Sequence, residues 1–353
     1  MMDPLYLLPV VVLGTVLWLF GGCSEDESSG DAGDKGDLDT NGPDSDADGD
    51  GDATLSDEYP GDVGMASDEA VVWIEDFEAD SVSAVVARYD DYKNTAGMSL
   101  VTDVPEESSG NRALGLSAGT ASEVATDFYK SFGGGYDEWY LRWYVKYEPD
   151  GVYHHSGVWF GGYNPPSSWP NPRAGTKPSG DDRFSIALES GADASGGIGR
   201  LDFYNYWMQM HGWSSNPSDP YYGNALAQYS STSFDDQWRC VEVHFKVNTD
   251  MSSSEGAVLE LWINDERIVR FTQTEGLGFW VGDHFCTEDA DMSTCTDYQG
   301  GQEMIPLDLQ VRTVPELQLN HFWPQNFTDA AADTTVWFDD MVIATRRIGC
   351  IRY

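Results

Sequence analysis

The sequence predicts an all-β sandwich preceded by an acidic linker without stable structure. From Val71 onward, short runs alternate apolar and polar residues between clusters of Gly, Pro, Asn, Asp and Ser, and no long segment has helical periodicity. Aromatic residues are abundant, with 13 Trp, 18 Tyr and 15 Phe in 353 residues, which suits β-strands and sugar-binding surfaces. One domain over residues 71–353 is the simplest interpretation.

The chain begins with an apolar run from Leu5 to Phe20, followed by two glycines and Cys23. The run is short for a membrane span, which takes about 20 residues, and is typical of a signal-peptide core. Small residues before a cysteine and a polar tail after it resemble a bacterial lipoprotein signal over residues 1–23. That resemblance implies lipidation of Cys23 and attachment to the outer membrane. A plain secretory signal or a short anchor is the alternative; export is expected in either case.

Residues 24–70 hold 17 Asp and Glu and one Lys, with few large apolar residues. Such a segment buries too little surface to offset its ordering entropy, so a disordered, self-repelling tether is expected. Residues 71–353 are also acidic, with 42 acids and 18 bases, a net charge of −24. This charge argues against nucleic acid as a partner, because nucleic acid needs a basic surface.

Four cysteines remain after Cys23, an even number that fits an exported protein with disulfides. The short gap between Cys286 and Cys295 favours a loop disulfide, which leaves Cys240 to pair with Cys350. Three pairings are open to four cysteines, so this one is a preference.

Several segments alternate apolar and polar residues with a period of two, which places successive side chains on opposite sheet faces. These predicted strands cover residues 139–146, 183–189, 200–207, 241–247, 259–263 and 336–343. Arg183 and Ser185 share one polar face, and Tyr204 and Tyr206 share another with Arg200. In the segment 153–163, His154 and His155 precede a Gly-rich run that contains Trp159 and ends at Tyr163.

The order of these segments resembles the concanavalin A-like jelly-roll polysaccharide lyases, nearest to family fourteen, the alginate and glucuronan lyases. The resemblance rests on the Gly-rich strand 156–162, the strand 182–189 with Ser185, the Tyr204-Asn205-Tyr206 strand, the hairpin region 238–270 and the Asn320-His321-Phe322-Trp323 run. It implies a jelly roll that cleaves a uronate-containing polysaccharide by β-elimination, without a required cofactor.

In that family a Tyr-x-Tyr pair, a Ser-x-Arg pair and a Lys perform the elimination, which implies roles for Tyr204, Tyr206 and Ser185. Two positions depart from the family pattern. Ala187 stands where the arginine is expected and Val158 where the lysine is expected, so Arg183 and His155 are the candidate substitutes. Histidine is a suitable base because its ordinary pKa is near 6.5.

The remaining predicted residues concern substrate binding and a metal. The expected substrate-binding residues are Trp159, Tyr163, Arg200, Arg142 and His154. A structural Ca²⁺ is a further hypothesis, with Asp76, Glu78 and Asp340 as ligands, because the first and last strands are often neighbours in such sandwiches.

Other enzyme classes lack their motifs. The chain has no Glu-x-Asp-x-Glu strand of the laminarinase type, no G-x-S-x-G elbow, no H-E-x-x-H helix and no P-loop. The alternative to a lyase is a non-catalytic carbohydrate-binding or adhesion protein on the same fold, and a structural surface protein without a sugar site is a third hypothesis. The polymer, the cleavage mode and the oligomeric state are not encoded in any recognisable pattern.

Overall fold

The computed structural model describes residues 53–167, 172–192, 198–213, 220–230, 236–287, 295 and 302–353, with the backbone alone at 191–192, 198–200 and 227–230. Residues 51–353 form one compact unit. The predicted signal with Cys23 and most of the predicted tether lie outside the described residues.

Eighteen strands and two short helices occur in the described part of the chain. The helices are α1 (Leu55–Glu58) and α2 (Val82–Val86), and three 3₁₀ turns cover Pro60–Asp62, Met65–Ser67 and Thr95–Gly97. The strands are β1 (Val71–Glu75), β2 (Asp91–Lys93), β3 (Met98–Val101), β4 (Ala113–Ala118), β5 (Ala125–Tyr136), β6 (Glu138–Tyr147), β7 (Gly157–Tyr163), β8 (Arg183–Ala192), β9 (Ile198–Asn205), β10 (Asn224–Ser230), β11 (Arg239–Lys246), β12 (Val258–Ile263), β13 (Glu266–Phe271), β14 (Leu277–Val281), β15 (His284–Thr287), β16 (Ile305–Pro306), β17 (Leu319–Phe327) and β18 (Thr334–Ala344).

The strands form two sheets. The smaller sheet has the order β13-β12-β11-β6-β18-β4-β3, with β1 also paired to β18. The larger sheet has the order β16-β14-β15-β10-β9-β8-β7-β17-β5-β2. All the pairings are antiparallel except that of β10 with β15. The predicted all-β jelly-roll sandwich is confirmed.

The core lies between the sheets and consists of the apolar positions that the alternation predicted. Phe160 of β7 and Phe184 of β8 pack against Phe245 of β11 in the opposite sheet. Trp139 and Leu141 of β6 lie in the same buried cluster. Because successive side chains point to opposite faces, the neighbours of Phe160 and Phe184 on β7 and β8 point outward from the larger sheet.

The outer face of the smaller sheet is covered by both ends of the described chain. Leu55 and Met65 form a second buried cluster with Val342 and Ile348. Residues 53–70 therefore differ from the prediction of a disordered tether over 24–70. The few apolar residues of this segment are placed to cover the outer face of the sheet, and its backbone bonds to the C-terminal segment, as in Ser56 N–H to the Ile348 carbonyl at 2.8 Å.

Arg142 is a correction to the predicted substrate-binding set. It lies on β6 in the smaller sheet, and its guanidinium is fully buried beneath the N-terminal segment. It pairs with Asp62 and donates to the carbonyl oxygens of Asp340 and Gly349. A buried guanidinium needs a carboxylate and several acceptors, and those partners close it off from any ligand.

Two disulfides join Cys240 to Cys350 and Cys286 to Cys295, which confirms the preferred pairing. The first disulfide ties the C-terminal segment to β11. In the part of the chain that the structure describes, no helix has both the length and the apolar character needed to cross a bilayer.

Candidate functional site

The outer face of the larger sheet brings most of the predicted site residues together. Gly161 of β7 pairs with Ser185 of β8, and Ser185 is bridged in turn to Tyr206. On the other side, Gly161 pairs with His321 of β17. These four residues form one row across neighbouring strands, on the face opposite the core.

His155 lies just before β7 and is held from four sides. Its Nδ1 is 2.7 Å from Glu189 Oε1. Its ring lies 4.8 Å from the Tyr204 ring and 4.0 Å from the His154 ring, centroid to centroid. The side chain of Gln325 donates a hydrogen bond of 2.6 Å to the His155 carbonyl oxygen. The backbone of His155 is in the left-handed region, with a φ of 57°. Because Nδ1 is committed to Glu189, Nε2 is the ring nitrogen left for chemistry.

The surroundings raise the pKa of His155 and of both tyrosines. Burial disfavours the charged form of His155, but the Glu189 carboxylate outweighs burial and raises the pKa of the imidazole above its ordinary value of 6.5. Burial raises the pKa of Tyr204 and of Tyr206 above the ordinary value of 10. The hydroxyl oxygens of the two tyrosines are 3.4 Å apart. Both tyrosines therefore keep their protons near neutral pH, which suits a proton donor, and His155 is the better base.

A row of stacked rings continues the cluster across the sheet. Trp159 and Trp323 stack at 5.3 Å with 18° between their planes, and Trp323 stacks on His321 at 5.6 Å. Trp159 also contacts Tyr204 edge to face at 5.9 Å. Trp159 lies on the expected face but is buried rather than solvated, because Tyr204 on β9 and Trp323 on β17 pack against it.

His321 is neutral and presents a lone pair. Asn320 accepts from Tyr163 N and donates to the Tyr163 carbonyl, which fixes its amide and leaves Oδ1 facing His321 Nδ1 at 2.9 Å. Nδ1 of His321 therefore carries the proton and Nε2 does not. Burial lowers the pKa of His321 to about 3, so the ring is uncharged at neutral pH.

Several buried polar atoms on this face have no hydrogen-bond partner among the described residues. They are Trp159 Nε1, Ser185 Oγ, Glu189 Oε2 and His321 Nε2. Gly161 lies between Ser185 and His321, where the strands approach so closely that no side chain fits: a Cβ there would lie 2.2 Å from the Phe184 carbonyl oxygen. Buried polar groups are normally paired, so unpaired ones gathered on one sheet face are typical of a site that receives polar ligand groups.

Arg183 shares this face but does not join the cluster. Its guanidinium is buried and pairs with Asp182, and it donates to the carbonyl oxygens of Pro172 and Thr176. These bonds fix the loop after residue 171 over the end of β8. Arg183 thus lies on β8 of the larger sheet, whereas Arg142 and Lys146 lie on β6 of the smaller sheet.

The other predicted substrate-binding residues take different positions. Tyr163 is buried beside His321, at 5.6 Å between rings. His154 is exposed, stacks on His155 and lies 3.4 Å from Asp329. Arg200 lies on β9, and its side chain is outside the described residues.

The carboxylates predicted to bind calcium have other partners. Glu78 accepts from the backbone N–H groups of Asn111 and Arg112, and Asp76 accepts from the Glu78 N–H. Within the described residues, no group of three or more His, Cys, Asp or Glu side chains is arranged to hold a metal ion. The set of three ligands is therefore not assembled, although Asp339 Oδ2 and Asp340 Oδ2 are buried without a partner in the described chain. Calcium binding at the β1–β18 edge stays a prediction.

Comparison with known proteins gives no family and several distant likenesses of shape. No protein-family model and no curated protein sequence matches the chain. Among solved structures, the alginate lyase Aly36B matches with a TM-score of 0.45 and 10% identity, covering 78% of this chain and 98% of its own. An endo-β-1,4-glucuronan lyase from the fungus Trichoderma reesei matches with a TM-score of 0.41 and 13% identity, covering 78% and 96%.

An alginate lyase from Chlorella virus gives a TM-score of 0.41 and 11% identity, covering 78% of this chain and 100% of its own.

Sequence reasoning missed three members of the site. Glu189 stands on the same alternating face as Ser185, so its position was readable, but its pairing with His155 depends on how β7 meets β8. Trp323 and Gln325 lie on β17, which pairs with β7 although it is about 160 residues further along the chain. No local pattern specifies that neighbour.

Proposed function

We propose that this protein binds a uronate-containing polysaccharide on the outer face of the larger sheet and cleaves it by β-elimination. One observation carries the proposal: the imidazole of His155 is held by Glu189 at 2.7 Å and faces Tyr204, whose hydroxyl lies beside that of Tyr206. A base whose ordinary pKa is near 6.5 and a protonated hydroxyl are thus adjacent, as proton-transfer chemistry requires.

In the proposed reaction, His155 Nε2 removes the proton at C5 of the uronate. The electrons of the C5–H bond form the C4–C5 double bond, and the bond from C4 to the glycosidic oxygen breaks. Tyr204 or Tyr206 gives its hydroxyl proton to that leaving oxygen. Glu189 holds the Nδ1 proton of His155, so the lone pair stays on Nε2, and it stabilises the imidazolium that forms.

The uronate carboxylate needs hydrogen-bond donors, because it gains electron density as C5 loses its proton. Ser185 Oγ and Trp159 Nε1 are donors without a partner among the described residues. Arg183 was the expected group for this role, but its guanidinium is already bonded to the protein. Ser185 and Trp159 are therefore proposed to bind the carboxylate.

Export and a lipid anchor on Cys23 belong to the same proposal. Two disulfides support an oxidising compartment, because such bonds persist mainly outside the cytosol. Labelling of cells with a radioactive fatty acid tests the anchor. Incorporation that is lost in Cys23→Ser is expected, and export without incorporation would leave a plain secretory signal.

A non-catalytic carbohydrate-binding protein is the second candidate function. The observation that favours it is that Arg183 is bonded within the protein, so the cation expected to neutralise the uronate carboxylate is not available to the polymer. Binding alone needs no base, so it predicts that His155→Gln affects affinity and nothing else.

The experiment that separates the two functions is ultraviolet absorbance of the unsaturated uronate product during incubation with alginate and with glucuronan. We expect absorbance to rise with the wild-type protein and to stay flat with His155→Gln. A flat trace for the wild type, with retention of the protein by the same polymers in affinity gels, would establish binding without elimination.

A further inference from the structure

Two exposed aromatic side chains lie beside the tyrosine pair and have no role in the proposed elimination. Trp213 is 65% exposed and Tyr222 is 38% exposed, and their ring centroids are 6.1 Å apart at an angle of 74°. Keeping large aromatic rings in water is unfavourable compared with burying them. Exposed groups of such rings therefore often mark binding surfaces. The two rings form an open apolar corner on the surface.

The backbone ties this corner to the candidate site. Gly223 follows Tyr222 directly, and a Cβ at Gly223 would lie 2.3 Å from the Tyr204 ring. Buried Asn224 accepts from His211 N at 2.6 Å and donates to the His211 carbonyl at 2.8 Å, which joins the segment before Trp213 to the start of β10. The segments on either side of the corner are therefore joined to each other, and the one that carries Tyr222 packs on the Tyr204 ring.

A positive charge lies over Tyr221, the residue that precedes Tyr222, and Asp308 is close enough to act on it. Lys177 Nζ lies 5.6 Å from the Tyr221 ring, and the backbone of its loop is joined to Tyr221 by a 2.6 Å hydrogen bond from Gly175 N. Arg183 holds that loop in place from below. Lys177 is close enough to His211 to add to the effect of burial, and both lower the pKa of that histidine. Because the chain has a net charge of −41, a cation near exposed rings would attract an acidic ligand to a surface that otherwise repels it.

We propose that Trp213, Tyr222 and Lys177 form a sugar-binding subsite that takes one acidic pyranose residue of the polymer. The aromatic rings would contact the C–H face of the sugar ring, whose hydrogens suit the negative face of an aromatic system. Lys177 would pair with the carboxylate. The identity of the polymer rests on the proposed function, whereas the location of the subsite rests on the exposed rings and their connection to Tyr204.

The test is calorimetric titration of mannuronate and glucuronate tetrasaccharides into the full chain carrying His155→Gln, so that turnover does not consume the ligand. Adding Trp213→Ala or Tyr222→Ala is expected to weaken binding about tenfold, which corresponds to ~1.4 kcal/mol. Lys177→Gln is expected to weaken binding of the acidic tetrasaccharides and to leave a neutral xylotetraose unaffected. Quenching of tryptophan fluorescence should be reduced in the Trp213 variant.

Matched controls lie at the far edge of the same sheet. Tyr92 on β2 is 48% exposed, and Lys93 beside it pairs with Glu123, so Tyr92→Ala and Lys93→Gln remove an exposed ring and an exposed cation elsewhere. Equal affinity in the subsite variants and these controls would overturn the subsite.

The outcomes also separate the subsite from the elimination. Loss of binding in Trp213→Ala, with no cleavage of any polymer by the wild type, would keep the subsite and reject the lyase. Cleavage with an unchanged KM in Trp213→Ala would keep the lyase and reject the subsite.

Discussion

Glu189 and His155 are joined by a single short hydrogen bond, from Nδ1 to Oε1 at 2.7 Å, while the second carboxylate oxygen of Glu189 is buried with no partner among the described residues. The carboxylate charge therefore acts chiefly on the imidazole. Asp329 adds a weaker effect of the same sign, and the stacked His154 and the neighbouring Tyr204 complete the titratable surroundings.

Replacing Glu189 by Gln should lower the pKa of His155, because the carboxylate that favours the imidazolium is gone while burial remains. In the wild type, elimination should increase as pH rises through a pKa above 6.5, because only the neutral imidazole is a base. In the variant this rise in activity should occur at lower pH. The value of kcat should also fall, because Nδ1 no longer has a carboxylate as its partner. NMR titration of the imidazole protons measures the pKa without requiring activity.

A suitable control for that variant is Asp283→Asn, which removes the partner of His284 at 2.7 Å and leaves His155 untouched. An unchanged His155 titration in Glu189→Gln would contradict the positioning role. A shifted titration with an unmoved pH–rate profile would instead show that His155 is not the base.

Tyr204→Phe should reduce kcat by about 10² or more, the range associated with loss of a general acid. Tyr204 is the tyrosine in ring contact with His155, so it is expected to have the larger effect, and Tyr206→Phe the smaller. Steady-state rates on the polymer give the ratio, and the melting temperature shows that each variant is folded. Full activity in both variants would show that neither tyrosine takes part in the proton transfer.

Asp339→Asn should stabilise the fold at alkaline pH. Burial, and then repulsion by Asp340, raise the pKa of Asp339 well above its usual range, so the folded protein retains a proton that the unfolded chain releases near pH 4. Stability is thus complete below that pH and is lost as pH rises toward the folded pKa. The variant should gain about 1 kcal/mol or more at pH 8 and flatten this dependence.

Thermal unfolding at a series of pH values measures the effect, and identical pH dependence in the two proteins would contradict it. Calcium titration in the same assay tests the predicted metal site. A rise in melting temperature that Asp340→Asn abolishes would support a cation at the predicted site, whose ligands are Asp76, Glu78 and Asp340.

Asp62→Asn should destabilise the fold by about 3 kcal/mol, because it leaves the fully buried Arg142 guanidinium without its carboxylate. Glu58→Gln is the matched control. It breaks a partly exposed pair with Arg346, so its effect should be much smaller. Urea denaturation compares the two. Equal small effects would mean that residues 53–70 are not integral to the folded unit.

The strands themselves were predictable, because period-two alternation is a local property. β6, β8, β11, β12 and β18 occur where the alternation places them. The same rule put Ser185 on the outward face of β8 and Tyr204 on that of β9. These residues converge because β8 and β9 are consecutive in sequence and adjacent in the sheet.

The rest depended on contacts between distant segments. Arg142 alternates with apolar residues as a solvent-facing side chain would, yet the segment that contains Asp62 covers it, and no pattern in β6 reveals that cover. Likewise, Val158 was matched to the family lysine, but it lies in the core, so the outward position of that strand is Trp159. A shift of one residue along a strand exchanges its two faces, and a resemblance of low identity does not fix that register.

The two ends of the described chain converge on one side of the molecule. Leu55 N–H bonds to the Arg347 carbonyl, Gly61 N–H bonds to the Arg352 carbonyl, and the Cys240–Cys350 disulfide fastens this region to β11. A mechanical load applied through either end would therefore pass into the smaller sheet and its covalent crosslink. β7, which follows His155, and β9, which carries Tyr204, lie outside that load path, so tension on the chain would leave the spacing of the proposed catalytic groups unchanged.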